Sequence, residues 1–381
     1  MLHRVPAEVF APGEFIREEL DARGWTQGDL AEILGRPLRL VNELIAGKKQ
    51  ITPETAKGLA DAFDGTDPIY WMSLDSAYRL SKAKPVDEAV SRRARLYSRF
   101  PVREMIKRGW IEASESLDVL EFRVRSFFRI NSLDETPIFS HAAKAAQYDE
   151  RTSLQWAWLW RAKQLAQSIG AAPYSERKLR DAVTRLRALL AAPEEIRHVP
   201  RTLADAGVRL VLVEFLPGAK IDGATFWSDC SSPVIAMSLR FDRINNFWFV
   251  LRHEIEHVLN GDGQQVPIID IELSERLASG TADVLEEEKR ANGAAAEFIA
   301  PTKELDDFIA RVRPLYSEQR IMLFARRIGV HPGLVVGQLQ HRKEIPYSNL
   351  QRHLVKVRHI IISSGLTDGW GHTPTATEEG A

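Results

Sequence analysis

His253, Glu254 and His257 stand in the order His-Glu-Ile-Glu-His, inside an apolar segment that begins Phe247-Trp248-Phe249-Val250-Leu251. On a helix, residues four apart share a face one turn apart, so both imidazoles can reach a single Zn2+. Glu254 then projects beside the ion rather than onto it. From there its carboxylate can take a proton from water and later deliver it to a leaving amine, which is the chemistry of a metallopeptidase. Glu256 points elsewhere. Solvated histidines covering a helix end would be the plainer explanation, but charged groups in so apolar a segment are costly unless something pairs them, and a metal does that.

A catalytic zinc takes a third protein ligand and keeps one position open. The candidates are Glu286, Glu287 and Glu288, at the head of a helical stretch from Val284 to Pro301 whose small residues allow close packing on the metal helix. Glu288 is preferred, because Asn292 lies one turn on along the same face while Ala291 and Ala295 keep the adjoining face slim. Glu286 fits a solvated face. A fourth protein ligand, for which His341 and Asp262 are available, would instead close the site and make the metal structural or sensory.

The elements that must position these groups are legible as changes of period. Residues 208–215, 223–227 and 233–239 are β-rich runs separated by Gly, Pro, Asp and Ser, and they predict a small sheet. A helix follows from about Asn245 to Leu259 and stops at Asn260-Gly261. More helices are expected over 284–340. Upstream, residues 86–200 keep a helical pattern that includes Leu117, Leu120, Val124, Phe127 and Phe128. The row Trp156, Trp158, Trp160 belongs to a helix apolar nearly all round, which predicts burial between layers. After Ser363 the chain loses periodicity, and a frayed tail is expected.

The sheet, the segment F-W-F-V-L-R-H-E-I-E-H-V-L-N-G-D (247–262) and the later E-K-R-A-N-G-A-A-A-E-F-I-A-P (288–301) together resemble the ImmA/IrrE family of zinc metallo-endopeptidases. The resemblance spans about residues 205–345 and includes V-V-G-Q-L-Q-H (335–341). It implies a zincin-like fold with zinc on His253, His257 and Glu288 and with Glu254 as the base. The family's link to cleavage of repressor proteins implies a protein substrate. The edge of the sheet at Thr225 to Ser228 would hold the substrate strand by backbone pairing. Arg290 stands where the family usually has a second acid, and Ala294 where it has Phe.

A second constellation lies near the N-terminus. Residues 12–20 form an amphipathic helix that ends near Gly24, and Thr26 caps the next helix with Asp29 in capping-box position. Gly35 makes a turn. A further helix, from about Pro37 to Ala46, should bury Val41, Leu44 and Ile45 and leave Arg39 and Asn42 outward, closing at Gly47-Lys48-Lys49. In this order the last helix enters a major groove, where Arg39 and Asn42 can read base edges while Gln27, Lys48 and Lys49 hold phosphates. The segments W-T-Q-G-D-L-A-E-I-L-G (25–35), E-L-I-A-G-K-K-Q-I-T-P-E-T-A (43–56) and Y-W-M-S-L (70–74) resemble the Xre-type helix-turn-helix, specifically the HigA antitoxin subgroup. Arg36-Pro37-Leu38 departs from the small polar residues more usual there.

Composition bounds these readings. The chain has 381 residues with 51 Lys and Arg against 52 Asp and Glu, so any DNA contact must be local rather than driven by bulk charge. Residues 1–80 carry nine Lys and Arg against thirteen Asp and Glu. So acidic a domain needs a second copy to double its basic tips, and a homodimer is expected. A helical bundle used only for protein association is the competing reading. The basic stretch Arg92, Arg93, Arg95, Arg99, Arg103, Lys107 and Arg108 suits phosphate contacts, a solvated face or a dock for the acidic domain alike. The single cysteine, Cys230, and the absence of an apolar signal or membrane run point to a cytoplasmic protein with no membrane partner.

The expected architecture is therefore α+β and mostly helical. A helix-turn-helix domain at 1–82 precedes a helical connector at 83–200, a metallopeptidase-like domain at 201–345 and an extension at 346–381. The expected function is a DNA-binding regulator, antitoxin-like, carrying a zinc endopeptidase that acts on a protein partner. The alternative is a non-catalytic repressor or antitoxin whose metal domain is structural, sensory or toxin-binding. Expected partners are operator DNA and a protein substrate or toxin.

Overall fold

The computed structural model describes residues 9–84, 88–135, 137, 139, 151–271, 273 and 286–371. The expected exit at Pro85, the start of the downstream helix at Val284 and the last residues of the tail lie outside them. The chain divides into two compact units, Met1–Val90 and Ser91–Ala381.

The first unit is all helical: α1 (Pro12–Arg23), α2 (Gln27–Leu34), α3 (Leu38–Ile45), α4 (Pro53–Ala62) and α5 (Pro68–Lys82). Thr26 caps α2 with both halves of the capping box, its backbone N–H donating to Asp29 Oδ2 at 2.6 Å and its Oγ1 accepting from Asp29 N–H at 3.2 Å. Gly35 ends the helix at φ 59°, a left-handed conformation that a side chain would resist. Ile16, Leu20, Leu30, Val41, Leu44, Ile45, Leu59, Phe63 and Trp71 fill the core. Buried Asp75 is neutralised in place, accepting from Ile51 N–H at 3.3 Å and Arg79 Nε at 2.8 Å.

The second unit is built around a mixed five-stranded sheet of β1 (Arg209–Val213), β2 (Ile221–Trp227), β3 (Pro233–Met237), β4 (Ile268–Ile271) and β5 (Leu366–Asp368), in the order β4-β2-β3-β1-β5. β1 runs parallel to β3 and β5, whereas β2 is antiparallel to β3 and β4. Helices α6 (Glu88–Arg99), α7 (Val102–Lys107), α8 (Leu117–Phe128), α9 (Ser153–Ala166), α10 (Glu176–Ala188) and α11 (Val199–Asp205) precede the sheet, and α12 (Ile244–Leu259) follows β3. After β4 come α13 (Glu286–Ile299), α14 (Thr302–Val312), α15 (Glu318–Ile328), α16 (Pro332–His341) and the short α17 (Arg358–Ile361).

Alternation along the strands assigns two faces. Leu210, Leu212, Trp227, Ile235 and Met237 join α10 to α12 and the later helices in one large core. Phe226 points the other way, meeting Phe139 edge to face at 5.0 Å, and Phe139 meets Trp160 of α9 at 5.6 Å. The three tryptophans of α9 are thus core residues, and Trp158 Nε1 donates to the Val213 carbonyl at 3.2 Å. A buried indole with its N–H satisfied stabilises such a layer by about 1.5 to 3 kcal/mol of apolar burial.

Two expectations are corrected. Residues 366–368 are not tail but an edge strand, locked where Asp368 accepts from Trp110 Nε1 and Arg161 Nε, each at 2.6 Å. Composition hid them because three residues are too few to show a period. Nor is Thr225 at a free edge: β2 is flanked by β3 and β4, and Thr225 pairs with Ile268 of β4. The missed neighbour, β4, is only four residues long. Much of the basic stretch is neutralised within its own unit, Arg92 by Asp118 at 2.6 Å and Glu121 at 2.7 Å, Arg99 by Asp134 at 3.2 Å and Arg108 by Glu214 at 3.0 Å.

Candidate functional site

In the first unit, α2, the Gly35 turn and α3 form a helix-turn-helix. α3 buries Val41, Leu44 and Ile45 and leaves Arg39 and Asn42 exposed, while Gln27 at the start of α2 and Lys48 after α3 are also exposed. Arg39 is 88% exposed and its Nε lies 2.8 Å from Glu43 Oε1. This pair lowers the pKa of Glu43 and raises that of Arg39. An exposed ion pair of this kind is weak, so the guanidinium can exchange Glu43 for a base edge or a phosphate.

In the second unit α12 carries His253, Glu254 and His257, all fully buried. Their helix lies against β2 on one side and α13 on the other. His253 Nε2 and His257 Nε2 face each other at 3.1 Å. Of the three consecutive glutamates, Glu288 reaches both, with one oxygen 3.5 Å from His253 Nε2 and the other 3.5 Å from His257 Nε2. Glu286 instead pairs with Lys289 at the surface at 2.8 Å, and Glu256 pairs with Arg252 at 2.8 Å. Buried Ala291 and Ala295 permit the close approach of α13.

Two further carboxylates complete the cluster. Asp262 Oδ2 is 3.0 Å from His257 Nδ1. An ionised carboxylate can only accept there, so Asp262 engages Nδ1 and leaves Nε2 as the nitrogen that faces the centre. Asp262 therefore orients a histidine rather than joining the centre itself. His341 is not among the converging groups. Asp270 is, and the sequence reading passed it over: its Oδ2 lies 3.0 Å from His253 Nε2, and it is 4% exposed. An acid between isoleucines in Ile268-Ile269-Asp270-Ile271 was the available signal, because a strand does not bury such a charge without a partner.

Glu254 is held apart from this centre by β2. Its Oε2 accepts from Thr225 Oγ1 at 2.7 Å, and its Oε1 occupies the space above Gly223, where a Cβ would lie 2.1 Å away. Only glycine leaves room there. Burial, reinforced by Asp270, raises the pKa of Glu254 well above the usual carboxylate value. Burial opposes the charged form of His253, but Asp270 and Glu288 outweigh it and raise its pKa. Burial likewise opposes ionisation of Asp270, yet His253 holds its pKa below the usual carboxylate value.

One ligand atom from each of His253, His257, Asp270 and Glu288 lies within 4.8 Å of the others. Asp270 Oδ2 and Glu254 Oε1 are buried and receive no hydrogen bond. Two imidazoles and carboxylate oxygens form a donor set that suits zinc, and a cation would compensate the buried carboxylates.

The helix-turn-helix family matches residues 16–71. Virulence-associated protein A' of Dichelobacter nodosus is 34% identical over 71 residues, which are 19% of this chain and 62% of that protein. An uncharacterized HTH-type transcriptional regulator of Escherichia coli, YddM, is 35% identical over 86 residues, 22% of this chain and 88% of that protein. The chain thus spans less than two thirds of the first relative and most of the second, and in each case the match covers under a quarter of its own length. Through these residues the chain belongs to the helix-turn-helix family.

Proposed function

We propose that this chain is a DNA-binding transcriptional regulator whose second unit holds a zinc ion and acts on a protein partner by peptide hydrolysis. The observation that carries the first part is the helix-turn-helix itself, with Arg39 and Asn42 exposed on α3 between Gln27 and Lys48. Arg39 and Asn42 meet base edges, Gln27 and Lys48 meet phosphates, and pairing of two copies offsets the acidic balance of the domain. Selection from a random duplex pool with the full chain at low salt tests this. Recovery of no enriched sequence would remove the DNA-binding reading.

The observation that carries the second part is the convergence of His253 Nε2, His257 Nε2 and Glu288 in a buried space beside Glu254. These three side chains would hold the zinc, which when bound supplies a Lewis acid for a scissile carbonyl. Asp262 keeps His257 in the tautomer that can bind. Thr225 and Gly223 hold Glu254 in one place, and its raised pKa suits a group that accepts a proton from water and returns it to the departing amine. The test compares wild type with Glu254→Gln against candidate partners encoded beside the gene. Equal cleavage by both, with the metal retained, would remove Glu254 from the chemistry.

A further inference from the structure

We infer that Asp270 is a fourth protein ligand for the zinc proposed above, closing its coordination shell in the resting protein, so that hydrolysis requires Asp270 to withdraw. This inference rests on the metal-binding reading. Its geometric basis is the spacing of the donors. A tetrahedron with arms of about 2.0 to 2.1 Å has edges of about 3.3 Å. Of the six edges, His253 to Asp270 is 3.0 Å, His253 to His257 is 3.1 Å, and Glu288 offers one oxygen to each histidine at 3.5 Å, with all four donors within 4.8 Å of one another. Asp270 stands as close to His253 as His257 does.

The strand register makes this placement a built one. Asp270 pairs with Gly223 across the β2 and β4 ladder, next to an irregularity between Ile221 and Gly223. A bulge re-aims the side chains beside it. The glycine opposite Asp270 is the same residue whose missing Cβ makes room for Glu254. Paired directly across the ladder, Asp270 faces the same side of the sheet as the space that Gly223 leaves for Glu254. Asp270 Oδ2 is buried and receives no hydrogen bond, although His253 Nε2 is 3.0 Å away. A carboxylate so buried calls for compensation, which His253 gives in part and a metal at the centre of the four donors would complete.

Ligand number separates two behaviours. Zinc with three protein ligands keeps a position for a reactant, while zinc with four is closed. Displacement of Asp270, for instance by a partner that draws β4 aside, would convert one into the other.

Cobalt(II) reports this directly, since its visible bands distinguish four-coordinate from higher-coordinate sites. The full chain would be loaded with Co2+ and titrated with acetohydroxamate, in wild type and in Asp270→Ala. With Asp270 bound, the wild-type spectrum stays unchanged, while Asp270→Ala binds Co2+ more than about 100-fold more weakly, beyond what loss of an orienting group causes, and shifts as hydroxamate is added. Asp270→Asn repeats the comparison if the alanine variant does not fold. A wild-type spectrum that shifts with hydroxamate overturns the inference without any variant. So does Co2+ affinity unchanged in the folded variants, and either result leaves the metal site standing. Failure of the wild type to take up Co2+ or Zn2+ in equilibrium dialysis removes the metal reading itself.

Discussion

The helix-turn-helix and the histidine–carboxylate cluster distribute their functional groups in opposite ways. In the first unit the relevant side chains are exposed and lie within 22 residues of one another, from Gln27 to Lys48, on elements set by local caps and turns. In the second they are buried or half-buried and come from β2, α12, the turn after it, β4 and α13. An exposed, local site tolerates single changes in stability and concentrates their effect on binding. A buried, assembled site couples binding to folding, because each carboxylate or imidazole needs its partners to remain in the interior.

The sharpest break of that comparison is His253→Ala. It removes the imidazole that lies within 3.5 Å of His257, Asp270 and Glu288, and zinc affinity by chelator competition should fall by more than about 100-fold, beyond what loss of an orienting group causes. Operator binding by the first unit should be unchanged. Gly223→Ala comes next. The new methyl would lie 2.1 Å from Glu254 Oε1 and 2.9 Å from Val250, so denaturant melts of the second unit should show a loss of about 1 to 3 kcal/mol.

Arg39→Ala should leave melting unaltered and weaken operator binding by about 1 to 3 kcal/mol at one base position, measured by anisotropy against matched and substituted duplexes. A weakening equal on every duplex would reassign Arg39 to phosphate. The smallest effect is expected of Thr26→Ala, which removes the capping box of α2 and should cost the first unit about 1 kcal/mol in thermal or denaturant unfolding. Any larger effect on DNA affinity than on stability would place Thr26 at the phosphates as well.

Legibility followed the same division. The cap at Thr26, the turn at Gly35 and the outward set on α3 are short-range consequences of residue type, and the structure places them where the sequence implies. The pairing of His253 with His257 is equally local, being one helical turn. Among three adjacent glutamates, periodicity favoured Glu288 through the slim face of Ala291 and Ala295, and that is the glutamate that reaches both histidines. Asp270 escaped because its strand has four residues and no turn signal marks its pairing with β2. For the same reason β5 passed for tail and Thr225 for an edge.

The sequence by itself determined the helices, their caps, the exposed face of α3 and the histidine pair, since each depends on backbone hydrogen bonds and side-chain spacing within a few residues. Tertiary structure decided which carboxylates join that pair. Glu288 came from 35 positions downstream of His253 and Asp270 from 17, brought there by helix packing and strand register. A one-residue slip of β4 would turn Asp270 to the opposite face of the sheet, and nothing within Ile268–Ile271 alone specifies that register.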